Sequence, residues 1–424
     1  MKNLSKISVF FSSAIFIFFI FSGLIKWIQY WPIDPTLLFG SLMSIAVFVK
    51  CTIIKKKWTL HKKSFIYILL TSIFFLFYII SAGYSISQEY WKEKLQVFLL
   101  SPLAFFFPLI VFDSDGHYKY FEILLYTFAF LASTIVIYLY MTGYLEFVLN
   151  YGNYKELYRI PNYLGIGVLI GLGFLLAITD FKLISLLYLG ISIPALISIG
   201  SRGPTLILLF CFIIVFIFSW ILNNKKKKTV KLYKKDKDIQ NINRLNKSSN
   251  KWSKISKKLL NKSQLNILIL LFAFIIFIIY WEGSALLIAR TGNIFFDEVA
   301  MENAFRYDEF LRASEVIIDN TLLGVGIGGY GLAAYGMDIN VYPHNIFLES
   351  FAEGGFFCFL LIFITLTSIL FVPIEKFEDK RYLLYYFMTL FVLLNYMKSG
   401  GFVGTRDLFA FFGIYLSYIR NAKI

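Results

Sequence analysis

Gly324-Val325-Gly326-Ile327-Gly328-Gly329-Tyr330-Gly331, followed by Tyr342-Pro343-His344-Asn345-Ile346-Phe347-Leu348-Glu349 and Glu353-Gly354-Gly355, is the stretch on which the fold turns. The residues from Ile346 to about Val372 are apolar enough for a membrane helix. Glycine turns, one histidine and two glutamates gather at the mouth of that helix. Polar groups are costly there and point to binding or chemistry.

Working outward, the 424-residue chain is 58% hydrophobic and 20% aromatic, and its mean hydropathy is +0.70. No soluble domain of this size needs so much apolar surface. The expected fold class is therefore all-α, a polytopic integral membrane protein forming one membrane domain over residues 1–424. About twelve runs are long enough to cross ~30 Å of hydrocarbon. They lie at roughly 7–25, 33–54, 64–82, 95–112, 119–141, 160–179, 182–200, 204–222, 264–283, 346–372, 382–398 and 402–420. The first follows Lys2 and Lys6, has no small-residue cleavage site, and reads as an uncleaved helix. No internal repeat stands out.

Charge sets the expected orientation. The loops 50–63 and 223–263 are dense in lysine, and the positive-inside rule places both in the cytosol. Counting spans outward from either loop puts both termini inside. The cytosolic side then holds 30 Lys/Arg against 9 Asp/Glu, and the outer side 11 against 17. The formal net charge of +15 is thus a property of the cytosolic face, with some attraction to anionic lipid. Residues 223–263 read as a solvated tether with a short amphipathic stretch at Trp252–Leu260, and nucleic acid is not an expected partner.

Lysine and arginine separate by side. Of 32 lysines, only Lys26, Lys92, Lys94, Lys155 and Lys398 fall outside, whereas six of nine arginines do: Arg159, Arg202, Arg290, Arg306, Arg312 and Arg406. Arginine's planar fork binds phosphate oxygens bidentately and keeps its charge at any physiological pH. The bias implies an outward-facing site for a phosphate-bearing or otherwise anionic ligand.

Three constellations follow. In Gly200-Ser201-Arg202-Gly203-Pro204, Ser201 and Pro204 suit a helix start, but a cation at a helix N-terminus does not. An arginine beside free N–H groups makes an anion cradle instead. The second constellation is the outer segment, residues 284–343, which carries Arg290, Arg306 and Arg312. Its stretch Ala304–Ile318 repeats Phe310, Leu311, Ala313, Val316 and Ile317 at helical spacing. Most of the acids Asp297, Glu298, Glu302, Asp308 and Glu309 read as solvated surface charge rather than a required metal site.

The third constellation is the opening stretch. Gly324-x-Gly326-x-x-Gly329 matches a dinucleotide-binding pattern literally, but no βαβ unit surrounds it. Its glycines instead let backbone approach a ligand or the bundle closely. His344 is placed to act as a general base or hydrogen-bond donor. Asn345, Glu349 and Glu353 share one helix face, and carboxylates in such a place are functional or paired to arginine. With His61 and His117 in cytosolic loops, His344 has no histidine partner. The widely spaced Cys51, Cys211 and Cys358 form neither a disulfide framework nor a metal site.

These residues resemble the O-antigen ligase and O-antigen polymerase superfamily of bacterial polytopic enzymes. The resemblance rests on Ser201-Arg202-Gly203, Arg306 in an outer helix, Gly324-Val325-Gly326, His344-Asn345, Leu348-Glu349 and Glu353-Gly354. Lys94-Leu95 after Tyr84-Ser85, and Arg159-Ile160-Pro161-Asn162, fit as well. The motif-bearing part covers roughly residues 155–370.

The resemblance implies transfer of a glycan from an undecaprenyl-diphosphate carrier to a sugar hydroxyl, with no cofactor and no metal, at the outer face of the bacterial cytoplasmic membrane. It implies Arg202 and Arg306 as the diphosphate clamp and His344 at the acceptor, with Arg159, Arg290, Arg312, Arg406, Asn345, Glu349 and Glu353 as substrate-binding candidates. Expected partners are the lipid-linked oligosaccharide, membrane lipid, a chain-length regulator and a repeat-unit flippase. Gly355 is followed by Phe356-Phe357-Cys358, where ligases tend to carry a second glycine and a threonine. That departure favours a repeat-unit polymerase over a ligase acting on a lipid or protein acceptor. A flippase or transporter of lipid-linked oligosaccharide would show inverted repeats and mid-membrane polar residues; here the charges sit at the outer mouth.

Overall fold

A computed structural model describes residues 2–25, 34–52, 62–145, 163–179, 183–199, 203–211, 213–214, 300–371 and 379–421. The ninth expected span, the lysine-rich loop 223–263 and the outer segment before residue 300 lie outside the described residues. Among the described residues there is helix but no strand.

The elements, in chain order, are α1 (Lys2–Ile20), α2 (Ser22–Ile25), α3 (Pro35–Thr52), α4 (Lys62–Ile80), α5 (Tyr90–Phe98), α6 (Leu100–Val111), α7 (Asp115–Met141), α8 (Tyr163–Thr179) and α9 (Leu183–Ser198). They continue with α10 (Ala300–Asp319), α11 (Tyr330–Tyr335), α12 (Ile346–Thr367), α13 (Lys380–Ser399) and α14 (Arg406–Asn421). Residues 203–211 are also helical. Five helical stretches are long and apolar enough to cross a membrane: Pro35–Thr52, Phe65–Tyr84, Tyr90–Val111, Asp115–Met141 and Ile346–Thr367. Helix α7, at 27 residues, is about 40 Å long at 1.5 Å per residue.

The bundle is held by aromatic packing. Tyr78 of α4 lies 4.5 Å from Phe98 of α5 and 4.6 Å from Phe402, ring centre to ring centre. Phe75 meets Phe409 of α14 at 4.7 Å. Such offset and edge contacts add about 1 kcal/mol per pair beyond area burial. Helix α14 packs closely on α6, with Gly413 against the Phe105 carbonyl. Its last turn then satisfies carbonyls that α6 leaves open at its end. Arg420 donates to Leu109 O (2.5 Å) and Asn421 to Phe112 O (2.7 Å).

Two expectations need correction. His117 is not in a loop: α7 begins at Asp115, so His117 sits in its first turn. It is buried, stacked on Phe112 at 5.2 Å and hydrogen-bonded with Ser114. In α10 the buried face is Glu309, Ala313 and Val316, whereas Phe310 and Leu311 are exposed. Burial of the Glu309 carboxylate is matched by donors: the Tyr330 hydroxyl at 3.2 Å, and Tyr335. Burial holds the Glu309 carboxyl above the ordinary glutamate range, although the Tyr330 hydroxyl and Arg312 pull it down.

Candidate functional site: the glycine loop, a buried lysine and an arginine-lined cavity

Helix α12 is broken at Gly355, which adopts φ 73°, ψ −172°, a backbone state open to glycine alone. The break frees two carbonyls. Ala352 O accepts from Val325 N and Glu353 O from Gly326 N, both at 2.9 Å, while Phe356 N turns to Thr321 O at 2.8 Å. The glycine loop is thereby laced into the helix.

Gly324, Gly326 and Gly328 all have positive φ. A Cβ on Gly326 would collide with the Ser85 backbone, and one on Gly328 would lie 2.9 Å from Trp91 Cα. Their close approach is to the bundle. On the far side of the loop, Ile86 N donates to Val325 O (3.1 Å) and Ile327 N to Ser81 Oγ (3.1 Å).

Beneath this loop lies an ion cluster. Lys94 of α5 meets Glu349 at 2.5 Å and Glu353 at 2.7 Å, and all three side chains are buried. The remaining carboxylate oxygens are also used. Glu353 Oε2 accepts from the Tyr78 hydroxyl at 2.5 Å, and Glu349 Oε2 from Phe402 N at 2.8 Å. The intramembrane carboxylates are therefore paired to a lysine, not to an arginine, and their hydrogen-bonding capacity is spent inside the protein. Desolvated charges persist only with such complete partnering.

A cavity of about 360 Å3 opens where α1 ends, α13 ends and α14 begins. Tyr342, Asn395, Arg406 and Asp407 line it together with glycines 23, 165, 400, 401 and 404. Arg406 is the first residue of α14, its guanidinium 5.2 Å over the Phe19 ring. It makes no ion pair among the described residues, and its buried Nε has no hydrogen-bond partner there. Asp407 is engaged elsewhere, accepting from Tyr396 OH (2.5 Å) and Leu408 N (2.8 Å). A larger cavity, about 610 Å3, lies across the bundle by Glu122 and Arg381. Those two side chains are already paired to each other at 3.1 Å.

His344 stands beside the first cavity. Its ring lies 4.6 Å from that of Tyr342, and it is the single non-glycine residue with positive φ (53°) among the described residues. Pro343 before it and Asn345 after it confine that geometry. Asn345 Oδ1 caps α12 by accepting from Phe347 N (2.9 Å) and Leu348 N (3.2 Å), and its Nδ2 donates to Met397 O (2.8 Å). Both ends of the Asn345 amide are thus consumed in holding the helix entry against α13.

The other candidates divide. Arg312 lies 4.8 Å over the Tyr335 ring and donates to Ala334 O at 3.4 Å, so it braces α10 on α11 and does not line the cavity. Arg306 lies in α10, with its side chain outside what is described. Arg159, Arg202 and Arg290 lie outside the described residues, but Gly203, next to Arg202, abuts Asn395 and Lys398.

Several residues of this region escaped the sequence reading of roles: Tyr78, Lys94 as ion partner, Asp338, Tyr342 and Asn395. Asp338 holds the start of α5, accepting from Ser87 Oγ at 2.6 Å and from Gln88 N and Glu89 N at 2.8 Å. A lone asparagine in the apolar run Leu390–Met397 was the one available signal for Asn395.

Helix without strand among the described residues, with five apolar, bilayer-length helices, defines the class: a helical protein with segments able to span a membrane. Compared with protein-family models and with curated proteins, the chain matches none.

Proposed function

We propose that this protein is a lipid-diphosphate-dependent glycosyltransferase that polymerises undecaprenyl-diphosphate-linked oligosaccharide repeat units. It works on the outer face of the bacterial cytoplasmic membrane, with about twelve spans and both termini cytosolic. The observation that carries this reading is the convergence at one cavity. Arg406 and Tyr342, whose ring lies 4.6 Å from that of His344, line it together where the charge pattern predicts the outer mouth.

In the reaction, an acceptor sugar hydroxyl attacks the anomeric carbon of the donor chain. The new C–O bond forms as the bond to the diphosphate oxygen breaks, and undecaprenyl diphosphate leaves. His344 accepts the hydroxyl proton. Arg202, Arg306 and Arg406 offset charge growing on the diphosphate in a site shielded from water. Left-handed geometry at a histidine between a proline and a helix cap supports this role, because such backbone states persist where the surroundings enforce them.

The test is glycan chain length in cells expressing single variants. Arg202→Ala, Arg306→Ala and His344→Ala are expected to abolish long chains while the protein inserts normally. Wild-type chain-length distributions from all three would overturn the assignment. Finished glycan appearing on a lipid core, with polymer length unaffected, would mark a ligase instead.

A further inference from the structure

Helix α10 carries two apolar rows, and the fold buries one of them. Ala313 and Val316 are buried, with Ile317 packed against them in part. Phe310, Ile318 and Leu322 fall at multiples of four residues, with Leu311 beside them. That spacing keeps them on one side of the helix and its closing turn. All four are exposed, Ile318 at 73% and Leu322 at 67%, so nothing among the described residues covers them. Asp308, Arg312, Glu315 and Asp319 are exposed as well, and their spacing puts them in a separate row. An apolar and a charged row side by side on a free surface is the pattern of a helix lying in a membrane interface.

A contiguous exposed apolar patch marks an interaction site, and its surroundings say with what. Here the end of the row meets two other apolar surfaces. Leu323 O accepts from the Tyr84 hydroxyl at 2.7 Å, and Thr321 O from Phe356 N at 2.8 Å. Tyr84 closes the bilayer-length stretch Phe65–Tyr84, which leaves Leu76, Phe77 and Ile80 exposed along the same side. Tyrosine is the residue type that sits at the boundary between lipid and water.

Phe356 opens the second arm of α12. The Phe347 and Phe363 rings lie 5.5 Å apart, and those of Phe351 and Phe359 4.9 Å. A straight helix would hold Phe347 and Phe363 about 24 Å apart at 1.5 Å per residue. The length and composition of α12 suit a single span, but its two arms fold back on each other at Gly355. That apex rests on the Leu322 backbone, and Phe356 and Phe357 just beyond it are exposed. The free row of α10 thus runs into the free apolar surfaces of α4 and of the second arm of α12.

We infer that this row, Phe310, Leu311, Ile318 and Leu322 with the adjoining Leu323, is seated in the lipid bilayer. Helix α10 then lies along the membrane surface, its charged row turned to water. Continuity favours lipid over a protein partner, because whatever covers Leu322 and Leu323 also meets Tyr84, Phe356 and the apolar side of Phe65–Tyr84. The inference is independent of the proposed reaction.

The test is spin-label accessibility in the full-length protein, reconstituted in phosphatidylcholine liposomes. Cys51→Ser removes the exposed native thiol, while Cys211 and Cys358 are buried. Leu311→Cys, Ile318→Cys, Leu322→Cys and Glu315→Cys are then labelled singly with a nitroxide. Collisions with oxygen, which concentrates in lipid, are compared with collisions with a water-soluble nickel chelate. The oxygen-to-nickel ratio should be several-fold higher at the three apolar positions than at Glu315. A ratio at Leu311, Ile318 or Leu322 equal to that at Glu315 overturns the inference. So does a label at Leu322 that neither reagent reaches, which would mean that a second copy of the chain covers the row. If one variant fails to insert, the other apolar positions still decide.

Discussion

Glu353 joins two structures at once: its carbonyl accepts from Gly326 N at 2.9 Å while its side chain holds Lys94 at 2.7 Å. The break at Gly355 makes the first contact available, and burial against α5 makes the second strong. The glycine loop, α12 and α5 are therefore tied together through one residue.

Removing the lysine tests this coupling. Lys94→Met leaves two buried carboxylates without their cation, a class of change that costs about 3–5 kcal/mol. Fluorescence-monitored melting in detergent should show a large loss. Adding Glu349→Gln and Glu353→Gln should recover most of it, because no buried charge then remains. An unaltered melting temperature in the single variant would mean the cluster contributes nothing to stability.

Glycines of similar φ should differ sharply in tolerance. Gly326 and Gly336 have φ of 80° and 68°, yet a Cβ on Gly326 strikes Ser85 whereas one on Gly336 meets nothing within 4 Å. Gly336→Ala should cost only the left-handed backbone term, about 1–2 kcal/mol. Gly326→Ala should prevent assembly of the loop, read as loss of monodisperse protein on size exclusion.

Asp338 predicts an acid limit. Burial alone would push its carboxyl up, but the Ser87 hydroxyl and the amides of Glu89, Gln88 and Tyr90 outweigh that and hold it below the usual aspartate range. A depressed folded-state pKa gives stability that is present above the unfolded value. It is lost as pH falls through the folded one. The wild-type melting advantage over Asp338→Asn should be full above about pH 4 and shrink on further acidification. An advantage that instead grows on acidification would contradict the assigned contacts.

Asn345 separates capping from bracing. Asn345→Ala removes both and should cost about 1–2 kcal/mol. Asn345→Asp keeps the cap but not the bond to Met397 O, so it should retain most stability while loosening the His344 turn. In the glycan assay, the aspartate variant should therefore lose activity out of proportion to stability; parallel losses would reduce Asn345 to a plain cap.

Much of this was legible in the residues themselves. Apolar runs marked where helix forms, because a 20-residue apolar segment has few other ways to satisfy its backbone in lipid. The spaced glycines of 324–329 signalled close backbone approach, since only glycine tolerates positive φ beside another chain segment. Local chemistry of that kind is written in neighbours. The choice of partner is not. Lys94 lies 255 residues from Glu349, and a carboxylate in an apolar run shows that it needs a cation without showing which one. The exposure of Phe310 and Leu311 and the spent amide of Asn345 are likewise outcomes of packing. Sequence alone determined that this chain is helical, with runs apolar and long enough to cross a membrane and a polar mouth to one of them. Only the tertiary structure decided which polar residues were consumed in holding that mouth together and which line a cavity, because that division depends on contacts between segments far apart in the chain.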